Sequence, residues 1–245
     1  MIPHLNRKGR ILMNSVKRNW KIAVDGPSGA GKSSLARALA RELGLIYVDT
    51  GALYRTIGLY MTKCGADLHD PDAVAARLPE VTVELFYKKD GAQSVLLCGE
   101  DVGDSIRTPE MSMAASAVSS IPAVREFLLG IQRSMADKGG VVMDGRDIGT
   151  VIMPDADVKL FLVASPAARA KRRYLELTAK GIACSFEQIL AETNARDEAD
   201  RQRNIAPAVP AEDALFIDNS DYDPAETLAE ALNLIALKCA GKPKS

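Results

Sequence analysis

The sequence feature that most constrains the fold is an octapeptide at residues 26–33 with the pattern G-x-x-x-x-G-K-[ST]. Its glycines let the backbone curl so that successive N–H groups point at phosphate oxygens. A short apolar run at residues 22–24 precedes it, and leucines recur every four residues from Leu35 to Leu43 after it. Strand, glycine-rich loop and helix, in this order, form the context in which the pattern binds a nucleoside triphosphate.

The chemistry expected of this P-loop follows from its residue types. Lys32 would reach the β- and γ-phosphates of ATP, and the Ser33 hydroxyl would ligate Mg²⁺. The positive end of the helix that begins near Lys32 adds to the attraction for anions. The chain has no Asn-Lys-x-Asp tetrad to read guanine, which disfavours a GTPase. The residues expected to bind ATP are Gly26, Pro27, Ser28, Gly29, Ala30, Gly31, Lys32, Ser33 and Ser34.

Four more apolar runs resemble the one before the P-loop. They lie at residues 45–48, 141–143, 158–163 and 215–217, with helical patterns between them. Short apolar runs separated by helices are typical of a parallel sheet that is covered on both faces. We therefore predict an α/β fold with a five-stranded parallel sheet.

Residues 62–122 follow a different pattern and predict an insertion. Apolar and polar residues alternate over residues 81–87, the turn signal Asp90-Gly91 follows, and residues 95–97 are apolar again, so a β-hairpin is expected. The core is then predicted to comprise residues 21–61 and 123–238, with a lid at about 169–203. Residues 1–20 form a basic extension, to which no function is assigned.

Composition and charge indicate which binding partners and which cellular compartment to expect. The chain has 245 residues, with 31 basic against 32 acidic side chains and a formal net charge of −1. The absence of a basic excess disfavours nucleic acid as a partner. No apolar run approaches the roughly 18 residues that a membrane helix needs, and the N-terminal residues lack a signal-peptide pattern. The four scattered cysteines fit reduced thiols. We expect a cytoplasmic monomer.

Polar residues that suit an anionic acceptor follow the predicted strands. One stretch covers residues 49–55 and another covers residues 144–150. Because loops after parallel strands gather at one edge of the sheet, both stretches are expected beside the P-loop. Arg196, Asp200 and Arg203 are spaced four and three residues apart and would share one face of a helix.

Six motifs together resemble the bacterial cytidylate kinases. They are IAVDGPSGAGKSSLARALA, VDTGALYR, MAASAVSSIPAVRE, DGRDIGTV, ARDEADRQR and APAVPAEDAL, and the resemblance as a whole runs from about residue 21 to residue 238. The P-loop is generic, whereas DGRDIGTV and the RDEADRQR–PAVPA run are far more specific. The resemblance implies a nucleoside-monophosphate-kinase-like fold with a small β-containing NMP-binding insertion and a helical lid.

The same resemblance implies roles for individual residues. Thr50, Arg55 and Arg146 would hold the acceptor phosphate, and Asp200 would meet the sugar. The catalytic residues implied are Lys32, Arg55, Arg146 and Arg196. The residues implied to bind CMP are Thr50, Arg55, Ser116, Arg125, Arg146, Asp147, Arg196, Asp200 and Arg203. The arginines assigned to the lid are Arg172, Arg173, Arg196, Arg201 and Arg203.

The implied reaction is ATP + CMP ⇌ ADP + CDP, with dCMP as an equivalent acceptor and Mg²⁺ as the metal. A carboxylate such as Asp147 can accept a hydrogen bond from the cytosine amino group and repels the oxygen of uracil. Asp144, at a strand end, is a second candidate to hold Mg²⁺, through water. Because the acceptor oxygen is already ionised, catalysis would consist mainly of positioning and charge neutralisation.

Other interpretations stay open at this point. The acceptor could be UMP or shikimate, or the chain could be an ATP-binding regulatory protein without transfer activity. Arg196, Asp197, Asp200 and Arg201 could form an ordinary solvated helix face. Ser116 lies among alanines that could equally pack under a helix.

Overall fold

Strands of two kinds are present in the computed structural model, which describes residues 19–89, 91–202 and 207–241. Five are parallel and three are antiparallel. In chain order they are β1 (Lys21–Asp25), β2 (Ile46–Asp49), β3 (Val83–Tyr87), β4 (Gln93–Leu97), β5 (Glu100–Asp101), β6 (Val141–Asp144), β7 (Val158–Val163) and β8 (Leu215–Asp218).

Helices connect these strands. In chain order they are α1 (Lys32–Leu43), α2 (Thr50–Lys63), α3 (Pro71–Arg77), α4 (Pro109–Val118), α5 (Pro122–Asp137), α6 (Pro166–Ala179), α7 (Phe186–Arg201) and α8 (Pro224–Gly241). A short 3₁₀ turn at Leu78–Glu80 and one π turn at Ile148–Ile152 complete the elements of the described residues.

The central sheet has the strand order β2-β6-β1-β7-β8, and every neighbouring pair is parallel. This confirms the predicted five-stranded parallel sheet. Four of the five strands end one residue after the predicted apolar run, because polar residues such as Asp49 and Asp144 complete the pairing, whereas β7 coincides with its run. Both polar side chains therefore lie at the carboxyl edge of the sheet.

Each face of the central sheet packs against its own apolar cluster. Ile22 and Val24 point to the face covered by α1 and α8, where Leu39 and Ile235 are fully buried. Ala23, between them, points to the opposite face, where α5 and the π turn pack. Successive side chains of a strand alternate between faces, so burial on both faces requires the continuous apolar runs seen in the sequence.

The insertion has a sheet of its own, in which β3, β4 and β5 are antiparallel. The predicted hairpin is present as β3 and β4, although Asp90 of its turn signal lies outside the described residues. The third strand, β5, was not predicted, because a strand of two residues is too short to show an alternation of apolar and polar side chains. A third apolar cluster joins this sheet to α2 and α5. Both boundaries of the insertion, 62 and 122, stay predictions, but the cluster itself continues into α2.

Helix starts follow local capping chemistry. Thr108 accepts a hydrogen bond from the Met111 N–H at the start of α4, as the Thr-Pro sequence favours. At α8 the capping is reciprocal: Asp223 accepts from the Glu226 N–H, and the Glu226 carboxylate accepts from the Asp223 N–H.

Among the described residues, no single helix has the length and apolarity to cross a bilayer. Taken together, α4 and α5 meet that length and composition test, but the pair is bent by 103°. Their apolar residues Val118, Val124 and Leu128 are buried in the cluster of the insertion.

We predict opposite effects for alanine at two helical glycines. A Cβ atom at Gly58 of α2 would lie 2.7 Å from the Cβ atom of Ala114 in α4, so Gly58→Ala forces the helices apart. We expect it to lower the free energy of unfolding by about 1–3 kcal/mol. At Gly130 of α5 a Cβ meets nothing within 4 Å, so Gly130→Ala should raise stability by roughly 0.5–1 kcal/mol.

Chemical denaturation of the two variants beside the parent protein measures both effects. Equal stability of Gly58→Ala and Gly130→Ala would contradict the close helix approach described for α2 and α4.

Candidate active site

The carboxyl ends of three strands meet at one edge of the sheet and form a cleft. Asp25, Asp49 and Asp144 are the last residues of β1, β2 and β6. The cleft has a volume of about 390 Å³ and is lined by the P-loop on one side and by the insertion on the other. This is the position at which open α/β sheets bind ligands, and we refer to it as the acceptor cleft.

The P-loop has the backbone that its glycines predict. Gly26 has a φ of +143°, and a Cβ atom there would lie 2.0 Å from the backbone oxygen of Leu162. Gly29 and Gly31 also have positive φ values of 74° and 91°. Residues with a side chain rarely adopt these angles, so the loop conformation depends on glycine. Asn219 donates from Nδ2 to the Ala30 oxygen at 3.0 Å and holds the loop from behind.

Lys32 is buried at the start of α1, and its Nζ donates to the Pro27 oxygen at 2.6 Å. Burial lowers the pKa of this ammonium well below its usual value, and the Arg146 cation lowers it further, against the opposing effect of Asp144 and Asp25. A bound polyphosphate would add negative charge next to the ammonium and favour its charged form. The location of Lys32 therefore suits phosphate binding.

Asp144 joins four elements of the site. Its carboxylate accepts hydrogen bonds from Ser33 Oγ at 2.7 Å and from the Tyr47 hydroxyl at 2.9 Å, and its backbone oxygen accepts from Thr50 Oγ1 at 2.8 Å. Burial raises the pKa of Asp144 to about 6, and the charge of Asp49 adds to this effect. The P-loop, β2, β6 and α2 are thus joined at one residue, through its carboxylate and its backbone oxygen.

Asp25 performs a similar function one strand away. Its two carboxylate oxygens accept from the Ile148 N–H at 2.9 Å and the Gly149 N–H at 2.7 Å, which fixes the loop after β6. Burial raises the pKa of Asp25 to about 6, although these two N–H groups favour the ionised form.

The acceptor side of the cleft carries arginines that are each paired with an aspartate. These pairs are Arg55 with Asp49, Arg125 with Asp147 and Arg146 with Asp200. An aspartate beside each guanidinium fixes its orientation and offsets its charge. Among these six side chains, the Arg55 Nε is a buried donor without a hydrogen-bond partner. Such an unsatisfied donor is costly unless a ligand accepts from it.

The remaining predicted site residues are placed as follows. Ser116 of α4 and Arg196 of α7 line the acceptor cleft, as do Thr50 and the P-loop residue Ser34. Ala114 of the same helix packs against Gly58, so α4 uses its small residues for close packing and presents Ser116 to the cleft. Arg203 lies outside the described residues.

Two helices, α6 and α7, form the segment predicted as a lid and are called the lid helices here. Their arginines do not all face the cleft: Arg172 bonds to the backbone oxygen of Asn219, Arg173 pairs with Glu176, and Arg201 pairs with Glu198. For Arg201 this is an exposed surface ion pair, as one of the open interpretations had it.

Arg169, which was not predicted, anchors the lid helices to the P-loop. It forms a two-pronged ion pair with Asp197 of α7, donates from Nη1 to the Ser28 oxygen at 2.9 Å, and donates from Nε to the Ala164 oxygen at 2.9 Å. Arg169 and Asp197 are both buried. The spacing of Arg196 and Asp200 drew attention to this helix, but the partner of Asp197 lies 28 residues earlier.

Other functional contacts were not predicted, and those of Tyr47 with Asp144 and of Asn219 with Ala30 join residues far apart in the chain. Tyr47, Asp49 and Asn219 belong to this group, since each is an ordinary strand-end or loop residue in the sequence. The position of Tyr47 and Asp49 at the carboxyl end of a predicted parallel strand was the one available signal.

A family model and curated relatives identify the same family for this chain. A family model described as cytidylate kinase matches residues 22–237. The cytidylate kinase of Syntrophotalea carbinolica is 47% identical over 221 residues, covering 90% of this chain and 94% of that protein. The cytidylate kinase of Pasteurella multocida is 49% identical over 214 residues, covering 87% and 94%. A solved shikimate kinase from Bacteroides thetaiotaomicron is 13% identical, with a TM-score of 0.45, and covers 89% of this chain and 98% of its own.

We predict that Asp25 makes stability depend on pH in a direction opposite to most carboxylates. A carboxyl that titrates near 6 when folded and near 3.8 when unfolded costs roughly 3 kcal/mol once ionised. Its stability contribution is complete below pH 4 and is lost as pH rises to about 6. The free energy of unfolding of the parent protein minus that of Asp25→Asn should therefore fall across this range.

Asp155→Asn is the matched control, because the hydrogen bond and charge of Lys21 lower the pKa of Asp155. The free energy of unfolding of the parent protein minus that of Asp155→Asn should rise with pH. Urea unfolding at several pH values measures both, and a flat or rising profile for Asp25→Asn would contradict the prediction.

We also predict that Asp197→Ala lowers the free energy of unfolding by about 3–5 kcal/mol, because it leaves the buried guanidinium of Arg169 without its partner. Glu198→Ala removes the exposed pair with Arg201 from the next position and should change stability by less than about 1 kcal/mol. Chemical denaturation compares the two. Similar losses in both variants would show that the Arg169–Asp197 pair is not a buried anchor.

Proposed function

Because this chain belongs to the cytidylate kinase family, we propose that it transfers the γ-phosphoryl group of ATP to CMP or dCMP, giving ADP and CDP or dCDP. The observation that carries this proposal is that the P-loop and three arginine–aspartate pairs share one cleft. A triphosphate bound by the P-loop and a monophosphate bound by the arginines would then have their phosphates adjacent.

Phosphate binding is the first role assigned to the acceptor residues. Arg55 and Arg146 would hold the oxygens of the CMP phosphate, with Thr50 beside them at the start of α2. A planar guanidinium matches phosphate oxygens with two parallel hydrogen bonds. Since Asp49 and Asp200 already orient these arginines, little side-chain entropy is lost when the phosphate binds.

Base recognition is assigned to Ser116, Arg125 and Asp147. The Asp147 carboxylate would accept from the cytosine amino group, and the guanidinium of Arg125 holds that carboxylate in place. Uracil presents an oxygen at the same position, which an ionised carboxylate repels. Asp200 would meet the sugar, with Arg196 and Arg203 nearby.

Metal binding fits the oxygen donors at the mouth of the P-loop. Ser33 Oγ and the Asp144 carboxylate lie 2.7 Å apart beside Lys32, and hydroxyl and carboxylate oxygens suit Mg²⁺. Within the described residues no group of three or more His, Cys, Asp or Glu side chains could hold a metal. Ser33 would hold Mg²⁺ that arrives with ATP, with Asp144 acting through water. The ion supplies positive charge next to the β- and γ-phosphates.

The chemical step then depends on position and charge. The acceptor oxygen of CMP is already ionised, so no strong base is required. Lys32 offsets charge that develops on the transferred group and on the leaving ADP, while Arg55, Arg146 and Arg196 align the acceptor. Closing of the lid helices over the cleft would exclude water, which competes as an acceptor.

The rival acceptors and a purely regulatory function are less well supported. UMP and shikimate leave the Arg125–Asp147 pair without a purpose, and a regulatory ATP-binding protein has no need of three arginine–aspartate pairs beside its P-loop. We further propose that the protein acts as a cytoplasmic monomer on small nucleotides and not on nucleic acid or at a membrane.

The proposal is tested by measuring ADP formation from ATP and Mg²⁺ with CMP, dCMP, UMP, AMP, GMP and shikimate supplied separately. We expect fast turnover with CMP and dCMP alone. Preference for UMP or shikimate would overturn the cytosine assignment, and ATP hydrolysis that ignores the acceptor would overturn the transferase assignment.

In the same assay, Asp147→Asn should reduce the preference for CMP over UMP in kcat/KM by about 10- to 100-fold, because the amide can donate to the uracil oxygen. Asp200→Asn is the matched control: it removes a carboxylate from the cleft but should slow CMP and UMP alike and leave their ratio unchanged. A preserved CMP preference in Asp147→Asn would contradict the base-reading role.

A further inference from the structure

We propose that Gln93, on the hairpin of the insertion, is a positioning residue for the acceptor site, to which it is linked through the backbone of Asp49. This inference deepens the proposed function, since it assumes that Arg55 and Thr50 hold the acceptor phosphate. It concerns the outer edge of β2, which lies outside the acceptor cleft.

The contact consists of hydrogen bonds from a side chain to both backbone groups of one residue. The Asp49 N–H donates to Gln93 Oε1 at 2.8 Å, and Gln93 Nε2 donates to the Asp49 oxygen at 3.3 Å. The Tyr87 hydroxyl donates to the Tyr47 oxygen at 2.8 Å. Alternate residues of a strand expose their backbone groups on the same side, so Tyr47 and Asp49 both face outward from the sheet.

The two side chains, which we call the edge brace, take the place of a further strand. β2 is the last strand on its side of the central sheet, where unpaired backbone groups would otherwise be left. Tyr87 and Gln93 are direct partners across the β3–β4 hairpin, so the brace is one rung of that hairpin. The insertion thus holds the edge strand at two alternate positions.

The edge brace borders an open cavity. A cavity of about 750 Å³ lies between α1, β2 and the hairpin, and Tyr87, Gln93, Tyr47 and Asp49 are among the residues that line it. The hairpin therefore reaches β2 at the tips of two long side chains. Among the described residues, no continuous apolar packing fills this cavity. The position of β2 beside the hairpin is therefore sensitive to the loss of these hydrogen bonds.

Asp49 passes the constraint on to the acceptor site. Its Oδ1 accepts from the Ala52 N–H at 3.0 Å and caps α2, and its Oδ2 accepts from Arg55 Nη2 at 2.8 Å. Thr50, the first residue of α2, follows directly. The backbone position of Asp49 therefore sets where the Arg55 guanidinium and the Thr50 hydroxyl lie, and Gln93 fixes that backbone position.

Attachment of the insertion is a separate matter. The insertion is joined to α2 by an apolar cluster that includes Leu53, Ile57, Val83 and Leu97. Loss of the Gln93 hydrogen bonds leaves this cluster intact, so the insertion stays attached. The expected defect is a misplaced Asp49, not an unfolded insertion.

Gln93→Met tests the inference, because it keeps the length of the side chain and removes both hydrogen bonds. In the assay with ATP we expect the KM for CMP to rise about tenfold, with the KM for ATP unchanged and kcat altered less than KM. Amide hydrogen exchange at Asp49 should accelerate by a similar factor, since its N–H loses its acceptor. Gln93→Ala removes the same hydrogen bonds and serves as a second variant if Gln93→Met folds poorly. It should show the same rise in the KM for CMP and the same faster exchange at Asp49.

Ser94→Ala is the matched control at the next position. It removes the 2.6 Å hydrogen bond from Ser94 Oγ to Asp101, which lies wholly inside the insertion. It should lower the melting temperature while leaving the KM for CMP and the exchange of the Asp49 amide unchanged. An equal rise in the CMP KM in Ser94→Ala, or no rise in Gln93→Met, would overturn the inference.

Failure of the proposed function would be seen separately. If the parent protein does not use CMP, the proposed reaction is wrong, whereas the exchange rate at Asp49 still reports the brace without any acceptor. Unchanged exchange at Asp49 in Gln93→Met and Gln93→Ala would overturn the positioning role whatever the substrate.

Discussion

The site depends on one buried carboxylate. Asp144 ends a strand in which all four residues are buried, and it accepts hydrogen bonds from the P-loop and from β2 while its backbone holds the start of α2. The P-loop and the junction of β2 with α2 are therefore both placed relative to one residue that lies more than 90 residues later in the chain. Burying a carboxylate costs free energy unless it is hydrogen-bonded. Moving Ser33 or Tyr47 away from Asp144 would therefore be unfavourable, and both donors are held in place. The P-loop and the acceptor arginines inherit their spacing from this arrangement.

Features encoded locally could be predicted from the sequence. The five apolar runs predicted the parallel strands, and the glycines of the P-loop predicted its curled backbone, in which all three glycines have positive φ angles. The alternation before Tyr87 predicted the hairpin. Each of these signals lies within a few residues of the structure that it produces, since backbone conformation and the face of burial follow from neighbouring side chains. Three acceptor-site residues, Thr50, Arg55 and Arg146, could be proposed from their position after strands, although their roles came from a resemblance.

Contacts between distant segments could not be predicted. Arg169 and Asp197 are 28 residues apart, and Gln93 is 44 residues from Asp49. The residues next to Arg169 and Gln93 in the sequence do not indicate their partners, because the packing of helices and strands determines which residues pair. The predicted arginines were expected to bind ligand, and three of them also form ion pairs with aspartates. Sequence motifs identify the side chains that could bind phosphate, and the fold determines which aspartates orient those side chains.

The apolar clusters differ in how much chain each one needs. Every buried residue of the insertion cluster lies between Ala52 and Leu128, whereas the cluster under α1 and α8 extends from Trp20 to Ile235. The central strand β1 pairs with β6 and β7, both more than a hundred residues later. During synthesis on a ribosome, all residues of the insertion cluster are available while β1 still lacks both neighbours. Local contacts form faster than distant ones, so the small unit that flanks the cleft can collapse before the sheet on which the P-loop depends.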